Sequence, residues 1–337
     1  MTCPQRLTFF NDDNPGWTRR RWGRGFRYLD VNAVPLKDPG SLDRIKALVI
    51  PPAWHNVWIS PLENGHLQCT GKDLKNRKQY IYHPDWTALR QSAKFDKLKD
   101  FGERLPKIRK AYHAGLQEKK WTRHKVISLI LYLLDNYYFR IGNKQYSESN
   151  QTYGLTTLRR KHLIVDDDTF SLAYTAKSGK LRRVKIGDAK AAKLIREISE
   201  LPGYEIFRYK NGSGNYVNMD SSDVNEYLHT FAGDKFSAKD FRTWGASKLA
   251  LEEYEPTIQA VKGNSRLKFE TTLVKRVAKQ MGNTVSVCRK YYIHPEILQY
   301  LTENQPVTLA NLFIEQAQEK VNGLSQIENI MLTIIRP

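Results

Sequence analysis

The hydrophobic pattern of this chain changes once, at Pro84, and that change limits the folds open to it. Before it, apolar residues come in short runs at 7–10, 26–29, 57–60, 66–70 and 79–82, separated by turn residues. Runs of that kind predict strands. Asp38-Pro39-Gly40-Ser41 interrupts them and can cap a short helix at 42–48, before the rigid Pro51-Pro52. After Pro84, apolar residues recur at helical spacing in basic sequence, which predicts helices at 86–101, 106–119 and 122–139. The third contains the longest apolar run, 126–134, well short of the roughly 20 residues a bilayer span requires, so it reads as a core helix.

Further on, 162–166, 170–177 and 181–186 read as a small antiparallel sheet, and 203–219 as a hairpin turning at 211–214. Asp188 can cap a helix running to 201, Ser221 or Ser222 the next, and Ser237 with Asp240 resembles a variant capping box opening the helix that carries Arg242. Beyond about 303 there is one amphipathic candidate, 309–321. The expected class is α+β. A small β-rich N-terminal domain, 1–88, precedes a larger, mainly α-helical domain, 89–337, that includes the small antiparallel sheet; the boundary falls between Asp85 and Lys94.

With 54 Lys+Arg against 35 Asp+Glu, the net charge of +19 calls for a polyanionic partner. The stretch 19–27 alternates cations with aromatics and glycines, so its cations can meet phosphates. In 71–82 the period of two puts Tyr80 and Tyr82 on one strand face and Gln79 on the other. Gln can read adenine, and tyrosines can touch bases or phosphates. The acidic run Asp166-Asp167-Asp168 has no His or Glu at ligand spacing and reads as a solvated turn, and no phosphate-binding glycine loop occurs. Neither a metal nor a nucleotide cofactor is expected. Cys3, Cys69 and Cys288 are too scattered for a disulfide framework, and 1–6 lacks an apolar signal core, so a reduced, cytoplasmic protein is expected.

The chemistry centres on 281–292, where Tyr291-Tyr292 sits in basic sequence and Tyr292 follows Asn283 by nine residues. A tyrosine pair alone is ordinarily packing. A phenol with a pKa of about 10 needs nearby cations to attack as phenolate near neutral pH. Such cations stand upstream: Arg140 in Tyr138-Phe139-Arg140-Ile141-Gly142-Asn143, Lys177 in Thr175-Ala176-Lys177-Ser178-Gly179-Lys180, and Arg242 in Ala238-Lys239-Asp240-Phe241-Arg242-Thr243-Trp244-Gly245. From Thr18 to the Tyr292 region, this order resembles the type IB DNA topoisomerases, in particular the small poxvirus and bacterial branch.

The resemblance implies an ATP-independent enzyme that relaxes supercoils of both signs through a 3′-phosphotyrosine. Arg140, Arg242 and Asn283 would bind the transition state, Lys177 would serve as general acid, and Tyr292 as nucleophile. It further implies contacts to double-stranded DNA from Arg77, Lys78, Gln79, Tyr80, Tyr82, Tyr146 and Lys239, and a monomeric clamp around the duplex in the nucleoid. Two departures stand out: Asn283 where many relatives have His, and Ala176 where they usually have Gly. A tyrosine recombinase is the nearest rival, but it usually carries His-x-x-Arg where this chain has Lys239-Asp240-Phe241-Arg242, and its N-terminal half is helical. A non-enzymatic DNA-binding protein would explain the charge but not the ordered set.

Overall fold

The computed structural model describes residues 7–166, 169–303 and 320–335, and the chain divides into two compact units, Met1–Phe95 and Asp96–Pro337. In the first unit, β1 (Trp17–Trp22), β2 (Gly25–Leu29), β3 (His55–Ile59), β4 (Leu67–Lys72) and β5 (Lys78–Tyr82) form an antiparallel sheet in the order β2-β1-β3-β4-β5. Helix α1 (Pro39–Ala47) lies between β2 and β3 in sequence, and the Asp38 carboxylate caps it by accepting from Ser41 N at 2.7 Å. Ile45, Val57, Ile59 and Cys69 form a small core, with Trp17, Tyr28, Trp54 and Ile81 packed against it.

Two expectations change in this unit. Residues 7–10 form no strand: Thr8 makes one bridge to Gly65, Phe10 N then donates to the His66 ring at 3.0 Å instead of to a backbone carbonyl, and the turn closed by Asn14 N on Asn11 O follows. The run 19–27 is the β1–β2 hairpin, and Arg19 faces inward. Its guanidinium donates to the carbonyls of Ile50 (3.2 Å), Pro51 (3.0 Å) and Trp54 (2.7 Å) and stacks 4.1 Å from the Phe26 ring. This arginine fastens the hairpin to the loop before β3 instead of waiting for a phosphate.

Helix α2 (Pro84–Asp96) carries the chain onward to α3 (Leu98–Gly115), α4 (Arg123–Tyr137) and α5 (Lys144–Asn150). Strands β6 (Leu163–Asp166), β7 (Thr169–Thr175) and β8 (Leu181–Lys185) make the expected antiparallel sheet. Then come α6 (Ala189–Ser199), the hairpin β9 (Arg208–Lys210) and β10 (Tyr216–Asn218), α7 (Ser221–Ala232), α8 (Ala238–Glu252), α9 (Tyr254–Gly263), α10 (Phe269–Met281), α11 (Val285–Tyr291), α12 (Pro295–Glu303) and α13 (Gln326–Ile334). The apolar run of α4 is buried except for half-buried Tyr132, and α8 is the central helix, packed by α3, α4, α7, α10, α12 and α13.

The helical expectations need three corrections. The stretch 86–101 is two helices divided at Lys97, and Pro106 lies inside α3 rather than opening a helix. Leu98, Phe101, Leu105, Ile108 and Tyr112 form one buried face through the proline. Burying each contributes roughly 1.5–3 kcal/mol, which outweighs the roughly 3 kcal/mol an interior proline costs. Asp220, not Ser221 or Ser222, caps α7: its carboxylate accepts from Ser222 N at 2.9 Å, and Asp223 accepts back from Asp220 N at 2.9 Å.

Asp167 and Asp168 of the acidic run, and nearly all of 309–321, lie outside the described residues. Among the described residues, no group of His, Cys, Asp or Glu could hold a metal ion, and no helix is long and apolar enough to cross a membrane.

Candidate active site

The site is built where the C-terminal ends of α4 and α10 meet α8. Ser237 N donates to Asp240 Oδ2 at 2.8 Å, which sets the first turn of α8, and the turn after it buries Arg242 at 2% exposure. Tyr138 ends α4 in a left-handed conformation, φ 55° and ψ 35°, with its ring over Gly245 of α8. A Cβ on Gly245 would stand 2.3 Å from that ring, so only glycine allows the approach. Two residues on, Leu155 N and Thr156 N donate to Arg140 O (2.9 Å) and Ile141 O (2.8 Å), fixing the backbone that carries Arg140. Gly282, at φ 62°, ends α10 and turns the chain so that Asn283 N donates to Ala278 O at 2.9 Å.

Asn283 Oδ1 then lies between two guanidiniums, accepting from Arg140 Nη2 at 2.6 Å and Arg242 Nη2 at 3.1 Å. Arg242 also donates to Met281 O at 3.0 Å and to Tyr138 O. A third guanidinium, Arg182 of β8, donates to Tyr137 O (3.2 Å), Tyr138 O (3.4 Å) and Met281 O (3.1 Å). Among the described residues, no carboxylate bonds any of the three. They are held instead by carbonyls at helix C-termini, where the helix dipole concentrates partial negative charge.

The electrostatic consequence is a cluster short of negative charge. Burial, then the charge of Arg140, lowers Arg242 to about 10, which leaves it protonated at neutral pH. Arg140 Nη1, Arg242 Nε and Asn283 Nδ2 are buried without a partner. Each such donor costs about 1–3 kcal/mol, and an anion with several acceptor oxygens can satisfy all three.

Tyr292 faces this cluster from the C-terminal end of α11. Its ring centre lies 5.1 Å from the Arg242 guanidinium, which also hydrogen-bonds the phenol. Burial by itself raises the phenol pKa, but Arg242, then Arg140 and Lys239, outweigh it and hold the group below its usual value of 10. Adjacent Tyr291 is 39% exposed, with Lys290 Nζ 5.4 Å from its ring centre. The two phenols therefore have different surroundings.

Arg140, Arg242, Asn283 and Tyr292 are thus gathered, and Lys239, exposed on α8, acts on Tyr292 by charge. Lys177 is not in hydrogen-bond contact with them among the described residues. It opens the exposed turn between β7 and β8, two residues past the end of β7 at Thr175 and not at the strand end as expected. Ala176 before it is buried at φ −90° and ψ −179°, an extended conformation that needs no glycine, so that departure leaves the turn intact.

Arg182 escaped sequence reasoning. The available signal was inverted alternation in β8, where apolar Leu181 is 80% exposed and Arg182 is buried.

In the first unit, Tyr80 and Tyr82 of β5 lie on the solvent face, 47% and 42% exposed, stacked with ring centres 5.9 Å apart. They are not core residues. Lys78 shares their face and pairs with Asp12 at 2.6 Å. Gln79 points the other way and donates to Asp73 Oδ2 at 3.0 Å, the carboxylate that also holds Arg77 at 2.6 Å. Tyr146, on α5 in the second unit, is 57% exposed.

Comparison with known proteins adds an independent finding. The family described as "Eukaryotic DNA topoisomerase I, catalytic core" matches residues 83–319, and "Bacterial DNA topoisomerase IB, N-terminal domain" matches residues 25–73. The chain is 30% identical over 302 residues to the DNA topoisomerase 1B of Acanthamoeba polyphaga mimivirus, covering 87% of this chain and 88% of that protein. It is 22% identical over 235 residues to the DNA topoisomerase 1 of Rabbit fibroma virus, covering 69% and 72%.

Proposed function

This chain belongs to the type IB DNA topoisomerases, and on that premise we propose that it relaxes supercoils of either sign through a 3′-phosphotyrosine. Tyr292 Oη loses its proton to solvent and attacks the phosphorus of one strand; the bond to the 5′-oxygen breaks as the new P–O bond forms. Arg140 and Arg242 meet the extra negative charge on the non-bridging oxygens with guanidinium forks, and Asn283 Nδ2 adds a neutral donor. Lys177 delivers a proton to the departing 5′-oxygen. Its exposed turn allows it to reach DNA that fills the site, in keeping with the fact that catalytic contacts are often completed only in the substrate complex.

One phosphodiester replaces another, so bond energy is conserved and no nucleotide is consumed. After strand rotation the 5′-hydroxyl attacks the phosphotyrosine and restores the strand. With guanidiniums supplying the positive charge, relaxation persists in EDTA. In this reading a monomer binds the duplex in the nucleoid. The N-terminal domain, 1–88 by the sequence division, contributes Arg77, Lys78, Gln79, Tyr80 and Tyr82, and the catalytic domain, 89–337, adds Tyr146 and Lys239 as further DNA contacts.

The observation that carries this reading is the pair of guanidiniums beside Tyr292, with no carboxylate partner among the described residues and with buried donors left open. A labelled suicide duplex resolved on a denaturing gel tests it. Wild type and Tyr291→Phe should form the covalent adduct, and Tyr292→Phe should form none while still binding DNA. Adduct from Tyr292→Phe, or its loss only in Tyr291→Phe, would overturn the assignment.

A further inference from the structure

Arg182 stands outside the residues assigned to cleavage, yet it bonds the backbone that places them. Two of its acceptors, Tyr138 O and Met281 O, are also acceptors of Arg242. Arg140 follows Tyr138 by two residues, and Asn283 follows Met281 by two. A Cβ on Gly282, between Met281 and Asn283, would meet the Arg182 side chain at 3.4 Å, so the chain also packs directly on it.

Arg182 is 7% exposed and has no carboxylate partner among the described residues, and burial, with Arg140 nearby, depresses its pKa. A cation so placed is unfavourable by itself; its carbonyl bonds are what compensate it. We propose that Arg182 is a positioning residue for strand cleavage: it cross-links the carbonyl ends of α4 and α10 and so holds Arg140 and Asn283 at the spacing one phosphate requires. It does not itself touch the phosphate. The inference rests on the reading in which Tyr292 attacks.

A cavity of about 670 Å³ lies against Arg182, lined also by Asn136, Tyr137, Arg183, Lys185 and Lys279. Removing the Arg182 side chain would extend this cavity toward the three carbonyls, which gives a small guanidinium a route to them. Arg182→Ala and Arg182→Lys are therefore compared with wild type for single-turnover adduct formation on the suicide duplex, DNA affinity and thermal midpoint. Adduct from wild type and none from Tyr292→Phe upholds the Tyr292 reading; any other outcome of that pair would sink that reading whatever the Arg182 variants do.

Given wild-type adduct, Arg182→Ala should slow its formation by about 100-fold, the scale of losing hydrogen bonds from a charged group, with affinity kept within about threefold. Arg182→Lys, which keeps the charge but not the fork, should slow it by about tenfold. Ethylguanidinium should restore Arg182→Ala by about tenfold, and sodium chloride at equal ionic strength should not. Three results would overturn the proposal: a wild-type rate in either folded variant, a fall in affinity that accounts for the fall in rate, or a slowed Arg182→Ala that ethylguanidinium leaves slow. If Arg182→Ala does not fold, the rate and affinity of Arg182→Lys decide alone.

Discussion

Two arginine centres of the second unit are compensated in opposite ways. Arg109 on α3 lies between two carboxylates, bonding Asp135 at 2.8 and 3.2 Å and Glu328 at 2.7 and 2.9 Å. Tyr112 OH donates to Asp135 (2.8 Å) and Trp244 Nε1 to Glu328 (3.1 Å), so this centre ties α3, α4, α8 and α13 together. Burial would lower the Arg109 pKa, but its hydrogen bonds to Glu328 and Asp135 reverse that and raise it. At Arg242 nothing reverses it, and the value falls to about 10. A neutralised buried cation is spent on the fold. One held by carbonyls, an amide and a phenol, with no carboxylate among the described residues, keeps its charge uncompensated.

Adding a negative charge to the open centre should break this contrast most strongly. Asn283→Asp puts a carboxylate between Arg140 and Arg242, making that site resemble the one at Arg109. Cleavage should fall by about 1,000-fold or more, because the guanidiniums are already paired when phosphate arrives. Stability should rise by about 2 kcal/mol from charge-assisted hydrogen bonds. Single-turnover adduct formation and a urea melt measure the two; an active or destabilised Asn283→Asp protein would contradict the comparison.

The converse change acts on the neutralised centre. Burial alone would raise the Glu328 pKa, but Arg109 draws it down to about 2. Glu328→Gln should cost about 3 kcal/mol of stability, as breaking a buried ion pair does, while cleavage per folded molecule stays within about threefold. Because the folded pKa is depressed, this contribution is complete above the unfolded value near 4.5 and is lost as pH falls toward about 2. Denaturant melts at pH 7 and pH 3 should therefore show a wide gap between wild type and Glu328→Gln at the higher pH and a narrow one at the lower. An equal gap at both would assign the loss to packing.

The smallest effect sharpens the comparison at its edge. Tyr292 is held below its ordinary pKa by cations, with Lys239 the weakest named contributor, so single-turnover cleavage should rise with pH along a limb lying below that of a free phenol. Lys239→Gln should move the limb to higher pH and leave the plateau rate nearly unchanged. A pH-rate profile identical to wild type would remove Lys239 from the field around Tyr292.

What could be read from the sequence follows from where its signals are local. The strands at 26–29 and 79–82, the Asp38 and Asp188 caps, and the Ser237–Asp240 opening of α8 depend on neighbours a few residues away, and they fold as the pattern says. The N-terminal run 7–10 and Pro106 read differently in the structure because a side-chain acceptor for Phe10 N in one case, and a continuous buried face in the other, outweigh local preference. Gln79 shows the same limit: alternation assigns its strand face, and only folding shows Asp73 there to bond it.

The order Arg140, Lys177, Arg242, Asn283 and Tyr292 was fully present in the chain, as was the charge of +19 that calls for a polyanion. The compensation of those cations was not. Arg242 finds the Tyr138 carbonyl 104 residues away and Arg182 finds that of Met281 99 residues away. A backbone carbonyl has no sequence signature, because every residue carries one. Side-chain identity therefore determined which cations this protein has, and the meeting of two helix ends in the tertiary structure decided which of them would be left without a counter-charge.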